Sequence, residues 1–272
     1  MEPFPLKNQN NFYQLIDSGD GERLEQFGPY KIARPCSRAL WPKKTQWKAE
    51  SSFTREDKKG WLGKSLPNNW EIEINNLRFE LQPTDFGHLG VFPEHHLRWQ
   101  EMDPNKGDRV LNLFAYTGAT SLYMAKKQAL VTHVDASQVA IDWAKKNATL
   151  NQIDTVRWIL DDVMKFLKRE IRREKKYEWI IVDPPTFGRG AQGQVFKIEE
   201  QINELLELCA KLLSENPRGV LLSSHTLELT PAILERLLQR SMPNGQITSG
   251  ENILEATSGT SLPLGTYAWW KP

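Results

Sequence analysis

From Val110 to Phe187 the chain alternates short apolar runs with segments of helical period, and the runs end in chemically distinctive residues. The runs occupy residues 109–114, 130–134, 156–160 and 179–182, with another at 220–223. Residues 118–127, 137–150, 163–174 and 199–214 carry helical periodicity between and after them. Helices between strands supply the crossovers that parallel pairing needs, so the expected fold is α/β, a doubly wound and mostly parallel sheet.

In such a sheet a ligand lies beyond the carboxyl ends of the strands, near the point where strand order reverses. The distinctive residues all fall there: Asn112-Leu-Phe-Ala-Tyr-Thr-Gly118, Asp135-Ala136, Asp161-Asp162 and Asp183-Pro-Pro-Thr-Phe187. Ala115, Tyr116, Thr117 and Gly118 form the first strand-to-helix turn, where a glycine lets a cofactor approach bare backbone at a helix N-terminus. Asp135 closes the second strand, with Ala136 beside it, and is placed to accept both hydroxyls of a ribose. Its structural alternative is a helix cap, a role for which Ser137 is also available. Of the next pair, Asp162 is preferred as acceptor for an adenine amino group, and Asp161 is then the candidate helix cap.

A dinucleotide site calls for Gly-x-Gly-x-x-Gly after the first strand, so that pyrophosphate can press on backbone. This turn has one glycine, Gly118, preceded by bulky Phe114 and Tyr116. S-adenosylmethionine retains a ribose and an adenine but has no phosphate, and so suits the carboxylates and the missing glycines.

The set Asn112 to Gly118, Asp135-Ala-Ser with Asn147 and Asn151 after it, and Asp183-Pro-Pro-Thr-Phe187 resembles the class I S-adenosylmethionine-dependent methyltransferases that modify bacterial 23S ribosomal RNA. The resemblance spans roughly residues 80–270 and is closest to an uncharacterised branch of that group. It implies a Rossmann-like class I methyltransferase domain, S-adenosyl-L-methionine as cofactor and an RNA substrate. The segment Phe86-Gly-His-Leu-Gly-Val-Phe-Pro-Glu94 looks like the group's stretch before strand one, which implies that Phe92 helps to cover the cofactor. Relatives have an Asp-Gln-Arg type sequence where Glu94-His95-His96 stands here, so contacts to the methionine carboxylate do not carry over directly. His95 and His96 are expected only as cofactor neighbours, and no metal site is expected.

Methyl transfer is an in-line attack, so holding the acceptor in position supplies much of the rate. The paired prolines stiffen the loop after the fourth strand, making Asp183 a candidate cofactor and catalytic residue and Phe187 a candidate catalytic residue that stacks on a base. In related adenine-N6 enzymes an aromatic follows Pro-Pro directly, whereas here Thr186 intervenes. Asp-Pro-Pro-Thr-Phe is nearer to the ribosomal guanine-N7 enzymes, whose acceptor loses no proton. Cytosine-C5 transfer requires a cysteine nucleophile. Only Cys36 and Cys209 are present, and Ser223-Ser-His225 stands where the resembling cytosine enzymes carry Ser-Cys-Ser.

The N-terminal region reads differently. Short extended segments at 51–54 and 61–66 precede Trp70-Glu-Ile-Glu-Ile74 and Leu77-Arg-Phe-Glu-Leu81, whose Asn75-Asn76 connection predicts a β-hairpin. A small β-rich domain is expected over residues 1–82 and the methyltransferase domain over 83–272. Net charge is only +1, but residues 31–64 hold ten basic against three acidic side chains, interleaved with Trp41, Trp47, Phe53 and Trp61. That mixture suits either RNA contact or an aromatic core with solvated lysines. Arg189 and Lys197, flanking the glycine-rich stretch 188–193, are candidate phosphate contacts, whereas the basic residues of 163–174 read as a solvated helix face. Two cysteines, no long apolar run and no signal-like N-terminus suggest a cytoplasmic protein with no membrane contact. Alternatives to a base-nitrogen RNA methyltransferase are methylation of a small molecule or protein, and an RNA-binding relative that no longer transfers methyl groups.

Overall fold

The computed structural model describes residues 12–189, 193 and 195–272, the side chain of Arg189 excepted. The chain forms two compact units. One comprises the described residues up to Pro93 together with Ile253–Pro263, and the other Glu94–Asn252 with Leu264–Pro272.

The first unit carries β1 (Tyr13–Gly19), β2 (Glu22–Phe27), β3 (Tyr30–Pro35), β4 (Ser51–Thr54) and β5 (Gly60–Gly63), paired in that order in one sheet. A separate hairpin joins β6 (Trp70–Ile74) to β7 (Leu77–Leu81). Ile74 pairs with Leu77, leaving Asn75 and Asn76 as the whole connection at φ 50° and 61°, the left-handed pair that a type I′ turn demands. The first three strands give no clear sequence signal because the unit buries polar groups: Asp17, Ser18, Glu25 and Arg34 interrupt the apolar alternation. Glu25 accepts from Arg34 Nε at 2.8 Å, Arg34 Nη2 at 3.0 Å and the Tyr13 hydroxyl at 3.1 Å, while Arg34 Nη1 donates to the Gly87 carbonyl.

The aromatic residues of the basic stretch are built into this unit. Phe53 is buried, and the indole N–H groups of Trp41, Trp47 and Trp61 donate to Ser18 O, Asp17 Oδ2 and Thr84 O. Several lysines are paired with carboxylates, Lys43 with Glu22, Lys59 with Asp57 and Lys64 with Glu50.

The second unit opens with the single turn α1 (His96–Trp99) and continues as β8 (Arg109–Leu113), α2 (Ala119–Lys126), β9 (Leu130–Asp135), α3 (Gln138–Leu150), β10 (Arg157–Leu160), α4 (Val163–Arg172) and β11 (Trp179–Val182). A small hairpin, β12 (Phe187–Arg189) and β13 (Val195–Lys197), leads to α5 (Ile198–Lys211), β14 (Gly219–Ser224), α6 (Pro231–Ser241), β15 (Gln246–Leu254) and β16 (Leu262–Lys271). The sheet order is β10-β9-β8-β11-β14-β16-β15, parallel through β14 and antiparallel from β14 to β16. This is the doubly wound α/β arrangement, with strand order reversing between β8 and β11. The inner strands Val110 to Leu113, Trp179–Val182 and Gly219–Ser224 are buried throughout, as helices on both faces require. The closing antiparallel pair was not legible, because β15 reads Gln-Ile-Thr-Ser-Gly-Glu-Asn-Ile-Leu and lacks period-two alternation.

The buried Arg34 and Glu25 pair yields a stability prediction. Glu25→Ala leaves the guanidinium without its carboxylate and is expected to destabilise the N-terminal unit by about 3–5 kcal/mol. Urea unfolding followed by tryptophan fluorescence measures this; a change within error would mean the pair is dispensable.

Candidate active site

Register builds the site. Leu113 lies opposite Val134 and also opposite Val182, and Leu160 opposite Asp135, so the four parallel strands end at one level. The loops that follow bring Phe114 to Gly118, Asp135-Ala136, Asp161-Asp162 and Asp183 to a single edge of the sheet.

The first loop is tightly wound. Phe114 and Tyr116 both adopt left-handed backbone, φ 55° and 48°, an unfavourable state for bulky residues that persists only when the surroundings impose it. Ala115 N–H bonds Val134 O, and Tyr116 N–H bonds Asp135 Oδ2 at 2.8 Å. Gly118 caps α2 at φ +88°, and a Cβ there would stand 3.1 Å from that of Ala144. Both its backbone and the packing of α2 on α3 therefore exclude a side chain. Beneath the loop, Asn147 Nδ2 donates to Thr117 O at 3.0 Å, and Asn151 donates to Asn147 O. Asn112, Ser121 and His133 form a second buried chain of hydrogen bonds. Burial pushes His133 down to about 3, so it serves this network as a neutral ring.

Asp135 is not a helix cap. Ser137 caps α3 through its hydroxyl, while Asp135 accepts from Tyr116 N–H and Ser137 N–H, one on each carboxylate oxygen. Burial raises its pKa and the amide donors partly offset the rise. Each oxygen still has lone-pair capacity, the requirement for gripping two ribose hydroxyls. At the next strand the expected cap is corrected: Asp162, not Asp161, caps α4, accepting from Lys165 N–H at 2.9 Å. Asp161 instead pairs with Arg169 and accepts from Asp162 N–H. The residue directly before a helix is in cap position, and that geometry outweighs the preference that sequence suggested.

After the fourth parallel strand the site centres on Asp183. Its Oδ2 lies 3.2 Å from His95 Nε2, and its Oδ1 accepts from Ser223 Oγ at 2.7 Å. Beside this pair, His225 Nε2 lies 2.7 Å from Glu94 Oε1, and the two imidazoles meet edge to face at 5.5 Å. Burial alone would lower the pKa of His95; the charge and hydrogen bond of Asp183, with Glu94 nearby, outweigh it and lift it to about 9. For Asp183, burial raises the pKa but the same His95, with His225 and Ser223, holds the carboxyl far below the usual range. Near neutrality the two form an imidazolium and carboxylate pair.

Thr186, the residue that separates Phe187 from the prolines, has a positional role: its hydroxyl meets Thr226 Oγ1 at 2.7 Å, and its carbonyl accepts from Ile198 N–H. Phe187 then starts β12 and remains 50% exposed.

Sequence reasoning missed the partners of Asp183. His95, Asp183 and His225 bring ligand-type atoms within 4.8 Å of one another, although His225 follows β14 and no local spacing links it to His95. His88 and Phe92 belong to the N-terminal unit, where their rings meet edge to face at 5.5 Å. Cys209 is fully buried in α5, and its thiol is pushed up to about 12, which suits packing rather than nucleophilic attack. Cys36 is buried in the N-terminal unit.

A parallel sheet of this order, one glycine at its first turn and a carboxylate after the second strand define the Rossmann-like class I methyltransferase arrangement. The chain belongs to the S-adenosylmethionine-dependent methyltransferase family, whose model matches residues 47–240. A crystal structure of an S-adenosylmethionine-dependent methyltransferase from Agrobacterium tumefaciens is 35% identical, with a TM-score of 0.91 over 96% of this chain and 90% of that one. A methyltransferase crystal structure complexed with S-adenosylhomocysteine superimposes with a TM-score of 0.77 at 18% identity, over 97% of this chain and 76% of that one, a likeness of fold alone. Among curated relatives, a ribosomal RNA large subunit methyltransferase K/L of Syntrophotalea carbinolica is 31% identical over 215 residues, 77% of this chain and 27% of the relative. The one from Pseudomonas aeruginosa is 34% identical over 159 residues, 57% of this chain and 21% of the relative. The chain thus spans about a quarter of the length of these relatives. It is an S-adenosylmethionine-dependent methyltransferase with S-adenosyl-L-methionine as its cofactor.

The coupled pair predicts a pH signature. Because the folded value of His95 lies above its ordinary 6.5, the stabilisation it brings is complete below that pH and is lost as pH rises through about 9. Asp183, depressed, contributes above the usual carboxylate range and loses its share in acid. An NMR titration of the ring should keep His95 protonated at pH 8, and in Asp183→Asn, where only the charge of Glu94 still opposes burial, the ring should titrate well below its value in the unsubstituted protein. A ring neutral at pH 8 in the unsubstituted protein would contradict the pairing.

Proposed function

We propose that the protein methylates a base nitrogen of ribosomal RNA, a ring nitrogen of the guanine-N7 type, in the cytoplasm. When bound, S-adenosyl-L-methionine supplies an electrophilic methyl group on a sulfonium. Asp135 would grip the ribose hydroxyls, with Ala136 beside it. Ala115, Tyr116, Thr117 and Gly118 would lie along the rest of the cofactor. Asp161 and Asp162 would meet the adenine end and Asp183 the methionine side. The fit rests on the partly buried Asp135 carboxylate, pre-set by backbone donors, and on the side-chain-free turn at Gly118.

The observation that carries the acceptor assignment is the state of Asp183. An imidazolium has no lone pair to take a proton, and a carboxylate held so far below its usual range is a weak base. A site so equipped suits an acceptor that attacks through an in-plane lone pair and loses no proton. Its work is positioning, with Asp183 orienting the base by hydrogen bonds and half-exposed Phe187 stacking on it. An RNA substrate is supported by the ribosomal RNA methyltransferases among the relatives. No helix among the described residues is long and apolar enough to cross a membrane.

Two experiments test this reading. Asp135→Ala should weaken S-adenosylmethionine binding by at least about tenfold in calorimetry, since two hydroxyls lose a charged acceptor; unchanged affinity would remove Asp135 from the pocket. Nucleoside mass spectrometry of ribosomal RNA from a deletion strain should show the loss of one methylated guanine. Loss of 5-methylcytosine would overturn the acceptor assignment, and an unchanged profile would move the substrate away from ribosomal RNA.

A further inference from the structure

The N-terminal unit contains a cavity of about 430 Å³ between the segment Phe53 to Gly60 and the turn at residues 84–88. The volume lies in the range of small-ligand pockets. Its lining combines three chemistries, an aromatic face (Phe86, with Phe53 below), two cations (Arg55, Lys58) and a carboxylate (Asp85).

Phe86 is 76% exposed, yet it sits on a braced turn. Thr84 N–H bonds His88 O, Gly87 N–H bonds Thr84 O, and the Thr84 hydroxyl both donates to His88 O and accepts from His88 N–H. Trp61 adds its indole N–H to Thr84 O. Gly87 lies so close to the Phe53 ring that a Cβ would fall 2.5 Å from it, which locks the turn onto the buried aromatic. The backbone that carries Phe86 is therefore held in place, and its phenyl ring is displayed to solvent beside the cavity. A lone exposed apolar side chain is ordinary, but one held beside two cations forms a patterned surface.

Opposite it, Arg55 and Lys58 are exposed and have no carboxylate partner among the described residues, whereas neighbouring Lys59 is paired with Asp57. Asp57 and Lys58 lie in left-handed backbone at φ 49° and 57°, an unfavourable conformation for two successive non-glycine residues, and Lys58 lines the cavity.

We propose that this cavity is a nucleotide-binding site for a single-stranded segment of RNA. A base stacks on Phe86, Arg55 and Lys58 hold its phosphate, and Asp85 accepts from the base edge. The proposal rests on the RNA substrate reading and adds a second contact point, outside the methyltransferase unit. It also assigns the basic stretch a function that its tryptophans, committed to structure, do not supply.

The test uses the full chain and a short single-stranded RNA carrying 4-thiouridine, with fluorescence anisotropy for affinity and photo-crosslinking for location. Phe86→Ala and the double substitution Arg55→Ala with Lys58→Ala should each weaken binding by about tenfold, and Phe86→Trp should retain it. The double variant should also show a shallower salt dependence. Crosslinks should map to the peptide around Phe86, and S-adenosylmethionine affinity should be the same in all variants. RNA binding that is intact in every variant would overturn the cavity as the site while leaving the RNA substrate standing. Equal losses on duplex RNA would overturn base stacking in favour of a diffuse electrostatic patch. A parent protein that binds neither this probe nor ribosomal RNA would remove the substrate reading and the proposal together.

Discussion

The parallel register of β8, β9, β10 and β11 is the constraint on which the active site depends. Because Val134 and Val182 both stand opposite Leu113, the residue after each strand emerges at the same height, and chemistry scattered over 70 positions converges on one edge. A slip of one residue in β11 would turn its side chains to the other face and carry Asp183 away from His95 and Ser223. Continuous burial of the inner strands secures the register, since each apolar residue has a place on one of two helix-covered faces.

Register alone does not shape the loops. The turn between β8 and α2 contains two left-handed bulky residues and a left-handed glycine, and it is held from below by side chains rather than by regular pairing. Asn147 reaches from α3 to Thr117 O, and Asp135 reaches back to Tyr116 N–H. The carboxylate proposed to bind ribose therefore also braces the turn proposed to accept the cofactor. Such double use explains why Asp135 is set in place by backbone donors and left with half of its hydrogen-bonding capacity toward the open side.

The fold and the first half of the site were legible in sequence because both depend on local signals. Apolar runs, helical period and a carboxylate or glycine at each strand end are visible within short windows, and the strands at residues 109–113 and 179–182 emerge almost where periodicity placed them. The rest depends on long-range pairing. Strands β1 to β3 were hidden because the paired charges Glu25 and Arg34 and the hydrogen-bonded Asp17 stand buried where apolar residues would be expected. The Asp162 cap could be named only once the start of α4 was known to the residue. The histidine partners of Asp183 lie 88 positions before it and 42 after it, and the motif-bearing loop carries no mark of either.

Those partners change what the Asp-Pro-Pro-Thr loop can do. A free carboxylate beside an acceptor could be read as a general base, and sequence alone admits that role. Paired with His95 and bonded by Ser223, the same carboxylate becomes a fixed dipole end with little affinity for a proton. Ser224 stands at the strand-end position where the resembling carbon-methylating enzymes carry a cysteine, and its neighbours Ser223 and His225 serve Asp183 and Glu94. This strand end thus carries no thiol nucleophile, and through Ser223 it helps to hold the Asp183 carboxylate in place. Both features agree with the proposed transfer, controlled by alignment of an acceptor that already possesses a lone pair.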